Sequence, residues 1–189
     1  MFCRVATPCR HRTRWRYGNT AKCNAFFMLE LHAREQYFWD DETVARLAEV
    51  AARFQNPACL CAPLLGAELE RRALACRTLD IDERFAGLKG FTRFDVYRPT
   101  WQGQRFGAII CDPPFWIVSL SQLFAAIRLL AQHDFEQPLA ICYPARRSAN
   151  LCATFARFGL RATGFFPGYK TVDTSQERDR IEFFANFSF

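Results

Sequence analysis

Apolar positions along the chain follow two periods, one typical of helices and one typical of short buried strands. The first clear helix begins at Asp40 or Asp41, either of which can cap it, and ends before the Asn56-Pro57 pair. Its apolar positions recur at helical spacing: Val44, Leu47, Ala48, Ala51 and Phe54. This helix opens the main domain.

After this helix, strands and helices alternate along the chain. The predicted strands are short apolar runs between turn residues, at 58–61, 78–81, 106–111, 139–143, 160–166 and 180–187. The predicted helices between them lie at about 67–75, 120–131 and 148–158. Such alternation predicts an α/β fold with a mostly parallel sheet, helices on both faces and an antiparallel strand near the end. In such a sheet the binding site lies at the carboxyl ends of the strands.

The length of the chain indicates a single domain, and the distribution of charge indicates a basic arm that precedes it. A chain of 189 residues, half of them apolar, is typical of one globular domain. Its net charge of +6 comes from the first 22 residues, which hold six Lys and Arg and no acid, because the other 19 bases balance 19 acids. The arm also carries Trp15 and Tyr17, and this layout attracts nucleic-acid phosphates. A solvated terminus is the alternative. We divide the chain into an arm, 1–35, and a domain, 36–189.

Neither a membrane nor an oxidising compartment is indicated. The sequence has no run of about 18 apolar residues and no apolar signal-peptide core. Nine cysteines, an odd number, are then interpreted as reduced thiols. Six of them fall in or beside predicted strands and helices, and Cys3, Cys9 and Cys23 lie in the arm. We expect a cytoplasmic protein.

The sharpest chemical signal is Asp112-Pro113-Pro114-Phe115, directly after the predicted strand 106–111. Two prolines restrict the backbone, so they hold the turn and direct the Asp112 carboxylate and nearby carbonyls into the cleft. The carboxylate and the Pro113 carbonyl can accept the two hydrogens of an amine, while Phe115 offers a flat apolar surface to a ring. The alternative is a capped strand-to-helix turn with a buried Phe.

A second acidic signal follows the predicted strand 78–81. Asp82 comes at the end of the second strand of a nucleotide-binding unit, where an acidic side chain can accept both ribose hydroxyls. Asp80 lies two residues earlier, on the same face of the strand, and is the second candidate. Either carboxylate has an alternative role, as a cap or as the partner of Arg84.

The chain resembles the probable N6-adenine methyltransferases, which are class I enzymes that use S-adenosylmethionine. The resemblance covers about 36–187, and within the family it is strongest to the core of the zinc-finger CCHC-type ribosomal RNA adenine methyltransferases. Four blocks carry it: Gln36-Tyr37-Phe38-Trp39, Leu60-Cys61-Ala62-Pro63, Leu79-Asp80-Ile81-Asp82-Glu83-Arg84-Phe85 and Asp112-Pro113-Pro114-Phe115. The resemblance implies a Rossmann-like class I methyltransferase fold and catalysis by the fourth block.

The resemblance also implies how S-adenosylmethionine is held. Ala62 and Pro63 would line the methionine end of the cofactor, since the family has a proline-containing loop where most methyltransferases are rich in glycine. Only Gly66 is present here. Gln36, Tyr37 and Phe38 would close over the cofactor or the base, and their alternative role is a hydrophobic staple for the first helix.

The arm resembles a zinc finger that precedes the core in the ribosomal RNA enzymes. Cys9-Arg10-His11 and Cys23 match its pattern, and Cys3 is the nearest substitute for a missing ligand. Four such ligands suit tetrahedral zinc. The alternative is a metal-free arm with scattered thiols.

These observations predict an S-adenosylmethionine-dependent N6-adenine methyltransferase that acts on RNA rather than DNA. Single-stranded RNA loops can place a base in an aromatic pocket, and Arg146, Arg147 and Lys170 flank the predicted site and can contact phosphates. Solvated surface charge is the alternative for those three residues. Two other functions remain open: a lysine methyltransferase, which a second branch of the family contains, and a nucleic-acid-binding module with a degenerate cofactor site.

Overall fold

The computed structural model describes residues 29–174, 176 and 180–189, so most of the predicted arm lies outside the described residues. The strands are β1 (Ala58–Leu60), β2 (Arg77–Asp80), β3 (Phe91–Arg93), β4 (Ile109–Cys111), β5 (Leu139–Pro144), β6 (Arg161–Ala162) and β7 (Ile181–Ala185). The α-helices are α1 (Asp41–Ala51), α2 (Pro63–Arg71), α3 (Leu120–Leu130) and α4 (Ser148–Thr154). Short 3-10 helices cover His32–Arg34, Glu83–Phe85, Ala145–Arg147 and Ala156–Phe158.

The seven strands form one sheet in the order β3-β2-β1-β4-β5-β7-β6. The first five strands of this order pair in parallel, whereas β7 runs antiparallel to both β5 and β6. This arrangement confirms the predicted Rossmann-like fold with an antiparallel strand near the end of the sheet. No helix within the described part of the chain is long and apolar enough to cross a membrane.

Two apolar cores lie on opposite faces of the sheet, because successive strand side chains point to opposite sides. In β4, Ile109 and Cys111 belong to the core under α3 and α4, while Ile110 belongs to the core under α1 and α2. All three side chains are fully buried. Strands buried on both faces read as continuous apolar runs, which is why the sequence predicted the central strands.

Both helices on one face begin as local sequence rules require. Asp40 caps α1, because its carboxylate accepts a hydrogen bond from the backbone N–H of Thr43 at 2.8 Å. The helix ends at Ala51, earlier than predicted, and continues as turns toward Asn56. Pro63 starts α2 about four residues before the predicted start, because proline suits the first helical turn.

The strand predictions were wrong at three places. The run predicted from residue 106 joins the ladder only at Ile109, because the Gly107 N–H is bonded to the carbonyl of Gln55 instead. The predicted strand 160–166 is reduced to β6, with two residues. The edge strand β3 was not predicted, because it has only three residues, Phe-Thr-Arg, and no apolar run. Its partial exposure at the edge of the sheet explains why polar residues are tolerated there.

Candidate active site

The carboxyl ends of β1, β2 and β4 border one cleft. The register aligns Leu60 of β1 with Leu79 of β2 on one side and with Cys111 of β4 on the other, so the residues that follow each strand meet at one edge. The cleft holds about 670 Å³ of empty space, its open mouth included. Its lining consists of Leu31, Glu35, Gln36, Tyr37, Phe38, Cys61, Pro63, Asp80, Ile81, Asp82, Asp112, Pro113, Pro114, Phe115 and Tyr169.

The turn after β4 is held at both ends by hydrogen bonds. The Asp112 N–H donates to the carbonyl of Leu60 at 3.1 Å, and this bond continues the β1–β4 pairing. Past Phe115, the backbone N–H groups of Trp116 and Ile117 both donate to one carboxylate oxygen of Glu35, at 2.8 and 3.1 Å. The turn is therefore braced by a side chain from the segment that precedes α1.

The Asp112 carboxyl is half-buried at the base of this turn. Burial raises its pKa well above its usual range, and hydrogen bonds with Tyr169 and Cys142 oppose that change. The Tyr169 hydroxyl donates to Asp112 Oδ1 at 3.2 Å and lies 3.4 Å from Cys142 Sγ. One carboxylate oxygen thus has a protein donor.

Tyr169 is a site residue that the sequence analysis missed. A short antiparallel bridge with Trp39 holds it, since the Asp40 N–H donates to the Gly168 carbonyl and the Lys170 N–H donates to the Phe38 carbonyl. A Cβ on Gly168 would lie 2.1 Å from Asp40 Oδ2, so a larger residue there would have to displace the carboxylate that caps α1. The only sequence signal was this Gly-Tyr pair in a long loop, which gives no hint of its pairing partner.

The two acidic residues after β2 have different environments. Asp82 caps the short helix Glu83–Phe85 and is bound on both oxygens by Arg84, with a further hydrogen bond from Gln36 at 2.8 Å. Burial raises the pKa of Asp82, but the hydrogen bonds from Arg84 and Gln36 outweigh it and lower that pKa. The alternative considered from the sequence, a pair with Arg84, is what the structure contains.

Asp80 is buried to about the same extent as Asp82, with 7% and 8% of the two residues exposed. One of its oxygens accepts the N–H of Asp82 at 2.8 Å. Burial, with repulsion from Asp82, raises the pKa of Asp80 to about 6, although hydrogen bonds from backbone N–H groups and the Arg84 charge lower it. A buried carboxyl with a raised pKa that lines a cleft is a candidate ligand-binding group.

The segment Gln36-Tyr37-Phe38 covers the same side of the cleft. Gln36 Oε1 accepts from Arg84, so this residue links the segment to the Asp82 pair. The Tyr37 ring stacks on His32 at 4.9 Å between centroids, and Phe38 is buried with its ring edge-on to Phe85. All three line the cleft.

The turn between β1 and α2 brings only one of its two predicted residues to the cleft. Pro63 lines it, whereas Ala62 is buried in the core under α1 and α2. No side chain caps the start of α2 and its first turn has no acid, so the N–H groups of that turn remain available to an anion. Gly66 packs α2 onto β2, since a Cβ there would lie 1.9 Å from Thr78 Oγ1.

The Asp112-Pro113-Pro114-Phe115 block thus lies in one cleft with Asp80, Asp82 and the covering segment 36–38. Phe115 is half-buried and meets Tyr143 edge to face, with ring centroids 5.6 Å apart.

The zinc site in the arm stays a prediction, because its predicted ligands Cys3, Cys9, His11 and Cys23 lie outside the described residues. Across residues 29–174, 176 and 180–189, no group of three or more Cys, His, Asp or Glu side chains is arranged to hold a metal ion.

Comparisons with known proteins identify a family for this arrangement. A family model described as "Probable N6-adenine methyltransferase" matches residues 30–189. No curated protein matches the chain. Among solved structures, the crystal structure of a Thermoplasma acidophilum protein is 19% identical over 82% of this chain and 92% of that chain, with a TM-score of 0.47. Because the family model covers most of the residues, including every block of the cleft, the chain belongs to the probable N6-adenine methyltransferase family.

Proposed function

We propose that this protein transfers a methyl group from S-adenosylmethionine to the N6 amine of an adenine in RNA. The observation that carries the proposal is the Asp112-Pro113-Pro114-Phe115 turn, which lies in one cleft with Asp80 and the covering segment 36–38. A methyltransferase family implies that cofactor. The family's description suggests adenine, and the chemistry of the turn supports it. The choice of RNA goes beyond the family and rests on the charge of the chain.

The cleft has groups that suit each part of S-adenosylmethionine. Asp80 offers a buried carboxylate to the ribose hydroxyls, and Ile81, next to it, is 48% exposed and offers an apolar surface to the adenine ring. The uncapped first turn of α2, beginning at Pro63, offers N–H groups and a partial positive charge to the methionine carboxylate. We assign the ribose to Asp80 rather than to Asp82, because Arg84 and Gln36 already occupy the oxygens of Asp82.

Asp112 and Pro113 would orient the target amine. The lone pair of an adenine N6 is delocalised into the ring, so a site that accepts both N6 hydrogens favours the tetrahedral nitrogen that attacks. Tyr169 donates to Asp112 Oδ1, so we assign Oδ2 to accept one hydrogen and the Pro113 carbonyl to accept the other. The bound cofactor supplies an electrophilic methyl group. The amine then loses one proton, and a carboxylate whose pKa is raised by burial is well suited to accept it.

Phe115 would support the target base. Two contacts fix the position of Phe115. Its ring meets the Tyr143 ring edge to face, and its backbone carbonyl accepts a hydrogen bond from Arg147 at 3.0 Å. Base stacking on an aromatic side chain contributes about 1–3 kcal/mol per base. This contribution would offset part of the cost of removing the base from its neighbours, which is lowest in single-stranded RNA.

A labelling experiment tests the reaction and its target together. The protein is incubated with methyl-labelled S-adenosylmethionine and total cell extract, after which RNA, DNA and protein are separated and digested. We expect label in RNA as N6-methyladenosine, and no label above background with Asp112→Ala. Label on lysine would establish the protein methyltransferase instead. Absence of label in every fraction, together with absence of cofactor binding by calorimetry, would favour a nucleic-acid-binding module.

A further inference from the structure

Exposed aromatic and arginine side chains lie together on the rim of the cleft. Trp116 directly follows Phe115, and 60% of its surface is exposed. The guanidinium carbons of Arg146 and Arg147 both lie 5.2 Å from the centroid of its ring. The exposed indole of Trp116, next to the Asp112–Phe115 turn, belongs to neither apolar core, so core packing does not explain why a tryptophan is present there.

A second pair of the same kind lies beside the first. The N–H of Ala145 donates to the carbonyl of Arg180 at 2.9 Å, which places Arg180 next to the short helix that carries Arg146 and Arg147. The Arg180 guanidinium lies over the ring of Phe166 at 5.1 Å, and 46% of Phe166 is exposed. We call these five residues the rim strip: Trp116, Arg146, Arg147, Phe166 and Arg180.

The charges of Arg146 and Arg147 in the rim strip are available to a ligand. Within the part of the chain that the structure describes, no salt bridge to a carboxylate forms at Arg146 or Arg147. Arg147 has a second role, because it donates to the Phe115 carbonyl and lies over Tyr143 at 5.1 Å. Arg146, which is exposed, has no such role, so it is the cleaner residue to test.

We propose that the rim strip binds the single-stranded RNA that flanks the target adenine. Aromatic rings stack on bases of any sequence, and guanidinium groups contact the phosphates between them, which is how proteins hold single strands next to a reactive base. Trp116 stacks on a neighbouring base, and Arg146 contacts its phosphate. That a target adenine enters the cleft rests on the proposed function, but the binding of a single strand by the rim strip does not.

Binding is measured with the full chain and a labelled oligonucleotide of twelve uridines, without cofactor, by fluorescence anisotropy over a range of salt. We expect Trp116→Ala to raise the Kd about tenfold and Trp116→Phe, which keeps a ring, to stay within about threefold of the unsubstituted protein. Arg146→Ala should reduce the slope of log K against log salt by about 0.7, the value for one phosphate contact on a single strand, and Arg146→Lys should restore it.

Arg128→Ala is the matched control. Arg128 is also exposed, and its guanidinium carbon lies 6.0 Å from the centroid of the Phe124 ring. It belongs to the last turn of α3, which lies at the amino ends of the strands, away from the cleft at their carboxyl ends. We expect no change in Kd or slope. Since every variant keeps the basic arm, differences between variants report the rim strip. Equal Kd values for the unsubstituted protein, Trp116→Ala and Arg146→Ala would overturn the proposal.

Crosslinking distinguishes binding of the oligonucleotide by the rim strip from binding by the basic arm. A uridine oligonucleotide that carries 4-thiouridine is irradiated with the protein, which is then digested with trypsin. We expect an adduct on the peptide 106–128, which contains Trp116. Adducts confined to the arm, or displacement of the oligonucleotide by polyglutamate at the same monomer concentration, would overturn the proposal. Neither measurement involves methyl transfer, so a failed methylation assay with intact binding refutes the proposed reaction and leaves the rim strip standing.

Discussion

Replacing Asp80 with asparagine should separate cofactor binding from stability. The carboxyl is 7% exposed, and burial followed by repulsion from Asp82 raises its pKa to about 6. Asparagine keeps the oxygen that accepts the Asp82 N–H but removes the charge that would bind the ribose hydroxyls. A hydrogen bond to a charged group contributes about 1–2 kcal/mol more than one to a neutral group. Two such bonds amount to about 2–4 kcal/mol, so the cofactor Kd should be about 30-fold to 1,000-fold higher in Asp80→Asn.

The same residue predicts a pH dependence. Because the ionised form binds, affinity for the cofactor should be nearly constant above about pH 7 and should fall as the Asp80 carboxyl is protonated. With a pKa of about 6, the Kd at pH 5 should be about tenfold higher than at pH 7.5. Asp80→Asn should lose this dependence. Asp82→Asn should keep it but move it to lower pH, because the repulsion that helps raise the pKa of Asp80 is removed.

Stability should change in the opposite direction from binding. The folded pKa of Asp80 lies above its ordinary value of 3.8, so the folded protein holds a proton that the unfolded chain releases between those values. Stability therefore decreases as pH rises through this window. At pH 7.5 the buried charge costs about 3 kcal/mol, and Asp80→Asn should raise the free energy of unfolding by up to that amount. The gain should shrink between pH 6 and pH 4.

Calorimetry with S-adenosylhomocysteine at pH 5.0, 6.0 and 7.5 measures the binding, and urea unfolding at the same pH values measures the stability. Asp134→Asn is the matched control, since this carboxylate also accepts a nearby backbone N–H but lies just after α3, at the opposite edge of the sheet. If Asp80→Asn binds as tightly as the unsubstituted protein while Asp82→Asn does not, the ribose contact belongs to Asp82 and our assignment is wrong.

Three other sites give further predictions. Asp112→Ala should leave cofactor affinity within about twofold and lower single-turnover methyl transfer by about 10²–10⁴, whereas Phe115→Ala should mainly raise the KM for RNA, by about tenfold; unchanged kinetics in both would refute the role of the turn. Tyr169→Phe removes a donor to the carboxylate, so the pKa of Asp112 should rise further and the acid limb of the kcat profile should move to higher pH; an unmoved limb would contradict the contact. Gly66→Ala places a Cβ 1.9 Å from Thr78 Oγ1 and should lower the free energy of unfolding by about 1–3 kcal/mol, measured by urea unfolding, and a smaller loss would show that α2 can shift.

The sheet and the active turn were predictable because both depend on local sequence. The central strands are short apolar runs, and the two prolines after Cys111 mark the end of β4 without any knowledge of its neighbours. Pairing between distant segments was not predictable. The donation from Tyr169 to Asp112 joins residues 57 positions apart. The hydrogen bond from Gln36 to Asp82 joins residues 46 positions apart, and it is one reason why we propose Asp80 rather than Asp82 for the ribose.

The brace formed by Glu35 has a practical consequence for how the chain can be divided. The sequence places the start of the domain at residue 36, yet the carboxylate of Glu35 holds the backbone of Trp116 and Ile117, and Glu30 accepts the N–H of Phe38 at 2.7 Å. A fragment cut at the predicted boundary would lose both anchors while keeping the whole sheet. It would fold with a loose rim and a misplaced covering segment, so its inactivity would be mistaken for a missing arm function. Fragments meant to isolate the catalytic unit should therefore start before Glu30.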